Sequence, residues 1–388
     1  MGVNGNVITN LIPVIYESLD TVCREQIGFI PAVARDSQAV RCAVNEVVRW
    51  PIVPTFTASA MTTGAYGPEP NDTTVNDATL AITKEYSVKW YEDGNNQMAL
   101  GNTGLYSNIQ AMRFQQAFRT LANEVESDLA GLYYGASRAY GTAGTNPFDR
   151  TDIDAATQLR KIIEDNGAPT GNLHLIVNTA CAQKLRTQKQ IVSVAESGSA
   201  SGLRQGAVGD ICGWQIGVSG QIKTHTAGTL TTAARTDGAQ ALSSTTLTLT
   251  KGVGTVLKGD VMAFNSTLYG VGEEKYVSAT TASDNTTITI NAPGVTNTAI
   301  PTDSTVTLSS AYRANLGFDT NAIMLATRVP AMPQGGDSAD DVMIVQDPVS
   351  GLAFQIAVYR QHRRVAWEVG IAWGVKVAKS EHVALLLS

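Results

Sequence analysis

Cysteine, histidine and aromatic residues are scarce in this sequence. Of its 388 residues, 4 are Cys, 4 are His and 6% are aromatic. The cysteines are widely separated and form no C-x-x-C pair, which argues against a zinc site and a disulfide framework, so we expect reduced thiols in a cytoplasm. Long apolar runs are absent, and the opening MGVNGNVITN lacks the charge and hydrophobicity order of a signal peptide. We therefore expect a soluble protein.

An excess of basic residues is also missing. The chain carries 28 Lys and Arg against 34 Asp and Glu, a net charge of −6, whereas proteins that bind nucleic acid tightly are basic. The one concentrated basic cluster is YRQHRR at 359–364, with Arg360, Arg363 and Arg364. These guanidinium groups suit weak, salt-dependent phosphate contacts, or ion pairs with acids of the same or a neighbouring chain. The acidity of the chain favours the ion pairs.

No catalytic motif is evident. The sequence contains no G-x-S-x-G, H-E-x-x-H or G-x-x-x-x-G-K-[ST] pattern, and its four histidines are scattered. The acidic segment GGDSADD at 335–341 lacks the glutamate that closes an EF-hand loop, so a solvated loop is favoured over a calcium site. The sequence therefore predicts no catalytic residue, no metal site and no cofactor.

The first hundred residues predict a helical arm followed by a long hairpin. Residues 7–22 repeat apolar residues on one helical face that Pro13 would bend, and this helix packs either on its own core or on a neighbour. Two strand-like segments, EVVRWPIVPTF and TLAITKEYSVKWYE, flank about 22 polar and turn-forming residues. This pattern predicts a hairpin extending from the body, with a disordered surface loop as the alternative. The aromatic residues expected to contact a neighbouring subunit are Trp50, Phe56, Tyr66, Tyr86 and Trp90.

Two unusually extended elements follow. Segment 105–141 has one apolar helical stripe, and about 33 residues at 1.5 Å each predict a rod of roughly 50 Å. The stripe consists of Phe114, Phe118, Leu121, Val125, Leu129 and Leu132. Near the C-terminus, apolar side chains alternate from Val365 to Val377, which predicts a strand of about 40 Å. A helix of this length must lie along a long sheet, another helix or another subunit to bury its stripe. We expect that one chain cannot cover both apolar surfaces, so that neighbouring subunits must cover them.

The composition changes twice between these elements. Residues 151–222 have the pattern of mixed helices and strands. Residues 223–312 are rich in Thr and predict short strands separated by Gly, Asp and Asn turns, as in a small all-β barrel or sandwich inserted into the chain. One predicted turn is Lys258-Gly259-Asp260 in VLKGDVMAF, because Gly adopts positive φ freely and Asp bonds nearby amides.

Four segments carry a resemblance to a known family. They are RTLANEVESDLAGL (119–132), TLTLTKGVGTVLKGDVMAFN (246–265), NLGFDTNAIMLATRVP (315–330) and IAWGVKVAKSEHVALLL (371–387). With the order of the predicted elements, they resemble the HK97-like fold of tailed-phage major capsid proteins, and more closely the P22-like coat proteins that carry a β-rich insertion domain. The resemblance implies an α+β fold. Its expected parts are an N-terminal arm (1–44), an extended hairpin or E-loop (45–97), the spine helix of a P-domain (98–150), an A-domain (151–222), the insertion domain (223–312), and a return through the A-domain to the long P-domain strands (313–388).

The same resemblance implies a function without catalysis. A chain of this family assembles into pentamers and hexamers of an icosahedral shell around phage double-stranded DNA, with a scaffolding protein and a portal protein as further partners and weak, nonspecific contact with the DNA. The expected location is the virion capsid, assembled in the bacterial host cytoplasm, and the basic cluster would face the lumen or another subunit. Alternatives are a cellular nanocompartment shell of the same fold, a hydrolase using residues 151–222, or a carbohydrate-binding virion module.

Overall fold

The computed structural model describes residues 27–52, 58, 60, 61, 63, 76–101, 106–149, 153–198, 204–206, 208–231, 234–250, 252–265, 275–281, 287–346 and 352–388. The predicted helix at 7–22 and the aromatic residues Phe56 and Tyr66 lie outside these ranges. None of the helices within them combines the length and the apolarity that a membrane span requires.

The described residues form the following elements. The α-helices are α1 Phe29–Ala32, α2 Gly94–Gly101, α3 Tyr106–Ala130, α4 Asp154–Asp165, α5 Thr179–Leu185, α6 Lys189–Val192 and α7 Val194–Ser197. The strands are β1 Ala34–Cys42, β2 Val47–Ile52, β3 Asn76–Ala81, β4 Lys84–Asp93, β5 Arg138–Tyr140, β6 Leu173–Val177, β7 Trp214–Val218, β8 Thr224–His225, β9 Arg235–Thr236, β10 Thr246–Thr250, β11 Val261–Asn265, β12 Lys275–Val277, β13 Thr287–Thr289, β14 Thr305–Leu308, β15 Tyr312–Asp319, β16 Ile323–Pro330, β17 Asp341–Gln346, β18 Ala353–Gln361, β19 Arg364–Val377 and β20 Val383–Leu387. Short 3₁₀ helices are Gly131–Gly135, Thr320–Ala322 and Ser380–His382.

A six-stranded sheet, here called the main sheet, is built around β19. Strand β4 pairs antiparallel with one edge of β19, from Asp93 opposite Arg364 to Lys84 opposite Trp373. Along the other edge, β18 and then β16 pair with successive parts of β19, and β17 and β1 lie beyond them. The alternation at 365–377 thus belongs to a single strand of 14 residues, as predicted.

Helix α3 covers the apolar face of the main sheet. The buried members of its stripe are Leu121, Val125, Leu129 and Leu132. Phe114 contacts Trp90 of β4 and Trp367 of β19 edge-on, with ring centroids 5.0 and 5.3 Å away. These groups belong to one core within one chain. The expectation that neighbours must cover the rod and the ribbon is therefore wrong, because each covers the other.

The long helix is also shorter than predicted. Helix α3 has 25 residues, or about 37 Å at 1.5 Å per residue, and the chain continues as the 3₁₀ helix Gly131–Gly135. Gly135 lies against β19, where an added Cβ would stand 2.6 Å from Val377 Cγ2. Glycine is a poor helix former, and the close approach of residue 135 to Val377 requires glycine there. The α-helix therefore ends before the apolar pattern does.

Among the described residues, the predicted hairpin consists of β2 and β3, which pair from Val47 opposite Ala81 to Ile52 opposite Asn76. Trp50 is half-buried on a small apolar patch of its own chain. Tyr86 and Trp90, expected as hairpin contacts, lie instead in β4 of the main sheet. Trp90 faces α3 and belongs to the core, so the prediction of an intersubunit contact for it is wrong. Strand β4 belongs to the main sheet because it pairs with β19 and its alternating apolar residues, Val88 and Trp90, pack against the same core.

Gly374 is the point where the hairpin base crosses β19. A Cβ at this position would lie 2.2 Å from the carbonyl oxygen of Ala81, closer than any real Cβ contact. Lys376 holds the same crossing, since its Nζ donates to the carbonyl of Thr79 at 2.8 Å. The small residues on this face of β19 thus leave room for the backbone of residues 79–81 at the base of the hairpin.

Replacing Gly374 with alanine is therefore expected to push the hairpin base away from β19. We expect a loss of about 2 kcal/mol in the free energy of unfolding, because a rigid backbone atom must move. Urea unfolding followed by circular dichroism measures this change. Gly370→Ala is the matched control, because its Cβ would make only ordinary contacts, the nearest with Pro330 Cγ at 3.4 Å, and its effect should stay below about 0.5 kcal/mol. Equal effects of the two substitutions would contradict the role given to the crossing.

A second sheet has twelve strands, β5 to β15 and β20. Its order is β13-β10-β9-β14-β11-β12-β5-β20-β15-β6-β7, with β8 beside β15. Helix α4 packs on the β5, β20 and β15 part through a separate apolar core. The Thr-rich strands β9 to β14 bury side chains of their own, among them Leu247, Val256, Phe264, Tyr276, Ile288 and Ile300.

The three-residue strand β5 joins these two parts. One edge of β5 pairs parallel with β20, and the other pairs antiparallel with β12. The Thr-rich strands, expected as a closed barrel or sandwich, are thus also hydrogen-bonded into a larger sheet. The sequence of a three-residue strand does not determine which strands pair with its two edges, which explains why this pairing was not predicted.

Candidate functional site

The turn at Lys258-Gly259-Asp260 is the start of a buried polar cluster. The Asp260 side chain accepts hydrogen bonds from the backbone nitrogens of Leu257 at 2.6 Å and Gly228 at 3.1 Å. It also contacts His225 Nε2 at 2.7 Å. Asp260 is 1% exposed, and a carboxylate at that depth requires such donors. The aspartate therefore joins two segments, the 257–260 turn and residues 225–228, in addition to closing a reverse turn.

His225 carries the cluster to the end of helix α3. Since a carboxylate only accepts, His225 Nε2 donates to Asp260, and His225 Nδ1 is hydrogen-bonded to the Tyr133 hydroxyl at 2.9 Å. Tyr133 lies in the 3₁₀ helix that follows α3. Tyr312 of β15 closes the cluster by donating to the carbonyl of Gly259 at 2.5 Å. We call Tyr133, His225, Asp260 and Tyr312 the Asp260 junction.

The other two turn residues fit the same place. Gly259 has φ +95°, and a Cβ there would lie 2.9 Å from a ring atom of Tyr133, so only glycine suits both the backbone and the space. The Lys258 ammonium lies 3.5 Å from the ring centroid of Tyr134, a cation–π contact. Nearby, Asn291 Nδ2 donates to the carbonyl of Ala136 at 2.7 Å. The turn thus fastens the Thr-rich strands to the end of helix α3.

An aspartate, a histidine and a tyrosine in series could suggest catalysis. Burial raises the pKa of Tyr133, and the carboxylate of Asp260 raises it further. Burial likewise raises the pKa of Tyr312. Both hydroxyls therefore stay protonated at neutral pH and donate hydrogen bonds, whereas an activated nucleophile needs a lowered pKa. The geometry favours a structural junction.

A second buried acid, Glu126, fixes the chain before β1. Its Oε1 accepts from the backbone nitrogens of Gly28 at 2.7 Å and Phe29 at 2.8 Å, and its Oε2 accepts from Ile30 at 3.0 Å. Glu126 is fully buried on α3. Burial raises its pKa, and the three backbone hydrogen bonds oppose that shift. We call this arrangement the Glu126 clamp, and it sets where residues 28–30 lie against α3.

The basic cluster occupies the turn between β18 and β19, where Gln361 is opposite Arg364. Arg360 lies 3.5 Å from Asp340 Oδ2, an ion pair within the chain. The Arg364 guanidinium lies 5.2 Å from the ring centroid of Tyr91. Arg363 stands at the tip with φ +58°. The three arginines therefore share one corner of the main sheet.

The predicted site residues thus fall in separate places. The basic cluster and the Asp260 turn are distinct sites, and the described hairpin residues lie apart from the turn. Sequence reasoning missed His225, Tyr133 and Glu126. Glu126 alone had a usable signal, because Ala122 and Ala130 stand four residues before and after it on the buried face of α3, leaving room for a backbone segment. In the described part of the chain, no group of three His, Cys, Asp or Glu side chains could hold a metal ion.

Comparison with known proteins identifies the fold. No protein-family model matches the chain, and no curated protein sequence matches it. Among solved structures, the capsid structure of the cyanophage P-SCSP1u covers 100% of this chain and 96% of its own, at 11% identity and a TM-score of 0.50. The match to a structure from Mycobacterium phage Che8 covers 94% of this chain and 92% of the phage chain, at 13% identity and a TM-score of 0.46. The match to the capsid of an empty GTA particle covers 100% of this chain and 99% of that chain, at 11% identity and a TM-score of 0.45. The chain is therefore similar over its whole length to the cyanophage capsid and has its α+β, HK97-like fold.

Proposed function

We propose that this chain is a major capsid protein, which assembles into pentamers and hexamers of an icosahedral shell around phage double-stranded DNA. The observation that carries the proposal is the end-to-end agreement with the cyanophage P-SCSP1u capsid, which leaves no part of this chain unmatched. Such a role is structural and requires no reaction. It places the chain in the virion capsid, after assembly in the bacterial host cytoplasm.

Surface chemistry near the hairpin supports an assembly role. Val44 and Val47 at the hairpin base are 46% and 47% exposed, and Val40 of β1 is 59% exposed. Exposed aliphatic side chains close together favour burial against a partner. The hairpin would then lie over an adjacent subunit, with Trp50 and Tyr86 at its base and with Phe56 and Tyr66 as proposed contacts further along. Of the arm at 1–44, the part before α1 would reach another subunit, because Glu126 holds residues 28–30 and β1 belongs to the main sheet.

The finer division of the chain is part of the same proposal. We propose the parts given above, except that β1 and β4 belong to the main sheet and not to the arm and the hairpin. Residues 223–312 would form an insertion domain like that of the P22-like coat proteins. Support comes from the separate core of strands β9 to β14 and from the Asp260 junction, which attaches that core to the spine helix. The insertion would stabilise the subunit through this junction. A scaffolding protein, a portal protein and loosely held DNA are the further proposed partners.

Negative-stain electron microscopy of the purified full chain tests the proposal. We expect uniform hollow particles or pentamers and hexamers, and sedimentation well above the monomer. Val47→Asp should abolish these assemblies while leaving circular dichroism and the unfolding midpoint unchanged, because it places a charge in an interface. Val253→Asp is the matched control, since Val253 is 69% exposed on the Thr-rich strands. A chain that stays a monodisperse monomer, with and without molecular crowding agents, would refute the proposal.

A further inference from the structure

A polar cavity of about 660 Å³ opens at the corner of the main sheet. Its wall on one side is the β18–β19 turn, residues 360–365, and on the other the end of β4 and the start of α2, residues 93–97. Gly94 N donates to the carbonyl of Arg363 at 3.3 Å, which holds the two sides together. The cavity is thus a feature of two well-paired strands and a helix.

Positive charge dominates the lining. Arg360, Arg363 and Arg364 all line the cavity, against the single carboxylate of Asp93. Further polar residues complete the wall, namely Asn95, Gln97, Gln361 and His362. Three guanidinium groups and one carboxylate leave a net positive charge in a chain whose net charge is −6. The cavity is therefore chemically unlike the chain as a whole and suits an anion.

The arginines are placed by their surroundings. Arg364 Nε donates to Gln361 Oε1 at 2.5 Å, and its guanidinium lies over Tyr91. Arg360 is tethered by Asp340. Arg363 has no ion-pair partner among the described residues, and its φ of +58° is one that glycine or asparagine adopts more readily than arginine. A strained position occupied by an unpaired arginine points to a use for the charge.

We infer that this cavity binds phosphate groups. A guanidinium presents parallel N–H donors that match two oxygens of a phosphate, and a phosphate offers more acceptor oxygens and more charge than one carboxylate. Three such donors around 660 Å³ can hold one or two adjacent phosphates. The groups come from a free phosphate or pyrophosphate, or from the backbone of a nucleic acid. This inference does not depend on shell assembly.

Calorimetric titration of the unassembled full chain with pyrophosphate tests the site, and fluorescence anisotropy with a short labelled DNA duplex tests the second source. Arg363→Gly should weaken binding about tenfold, since it removes a charged hydrogen-bond donor. The same substitution should leave the unfolding midpoint unchanged or raise it, because it relieves the positive φ. A merely structural residue would not show these opposite effects. Arg364→Gln should weaken binding similarly.

Arg49→Gln is the matched control, because Arg49 loses the same charge on β2, away from the cavity. Duplex binding that pyrophosphate displaces, and that falls about 10- to 40-fold between 50 and 200 mM salt, would assign two or three phosphate contacts to nucleic acid. Binding of pyrophosphate alone would assign a free phosphate. Equal binding by Arg363→Gly and the unaltered chain would overturn the inference. So would arginine variants that change only sedimentation, which would indicate pairing with carboxylates of a second copy.

Discussion

Alanine at position 260 is expected to lower the free energy of unfolding by about 3 to 5 kcal/mol, because it leaves two backbone N–H groups and His225 Nε2 without their acceptor inside the protein. The measurement is urea unfolding followed by circular dichroism. Asp260→Asn keeps one carbonyl acceptor and should lose less. Asp237→Ala is the matched control, since Asp237 is exposed on the same group of strands, and its effect should stay within about 0.5 kcal/mol.

Proteolysis tells where the Asp260 substitution acts. If the junction fastens the Thr-rich strands to α3, its loss should expose residues 223–312 to trypsin before the rest of the chain. Tyr133→Phe removes only the hydrogen bond to His225 and should cost about 1 kcal/mol. A loss below 1 kcal/mol for Asp260→Ala, or uniform digestion of the whole chain, would contradict the role of the junction.

The Glu126 clamp has the second largest expected effect. Glu126→Ala leaves the backbone nitrogens of Gly28, Phe29 and Ile30 without an acceptor and should cost about 3 to 4 kcal/mol in the free energy of unfolding. Glu124→Ala, on the exposed side of the same helix, is the matched control and should change little. Hydrogen exchange at residues 28–30 should accelerate in the first variant alone.

The pH dependence of stability tests the same carboxyl. Its pKa in the folded chain is raised above the ordinary value of 4.5. Between 4.5 and the raised value, the folded chain holds a proton that the unfolded chain has lost, so the free energy of unfolding falls as pH rises through that window. Glu126→Gln cannot ionise and should lack this decrease. An unchanged pH profile in Glu126→Gln would show that Glu126 titrates normally.

Periodicity predicted the parts of this fold that one chain segment determines by itself. The alternation from Val365 to Val377 specified β19, and the resemblance led to an HK97-like fold that comparison confirms. The same periodicity could not tell which surface covers the stripe of α3, because a period is identical whether the partner is β19 or a neighbouring subunit. The division into domains and the insertion domain remain predictions.

Contacts between distant residues could not be predicted. Asp260 meets His225 across 35 positions and Glu126 meets Phe29 across 97, and an isolated acid or histidine in a sequence does not reveal such a partner. Trp90 looked like an exposed anchor because the tryptophan follows a polar, turn-rich segment, yet pairing with β19 turns it toward α3. The side chain's direction depends on the strand beside it.

The way β4 runs beside β19 also bears on mechanical strength. The two strands are antiparallel over the whole length of β4, so tension that pulls them lengthwise past each other strains all of their interstrand hydrogen bonds together. A peeling force would instead break those bonds one after another. We therefore expect the pairing of β4 with β19 to resist lengthwise tension better than peeling.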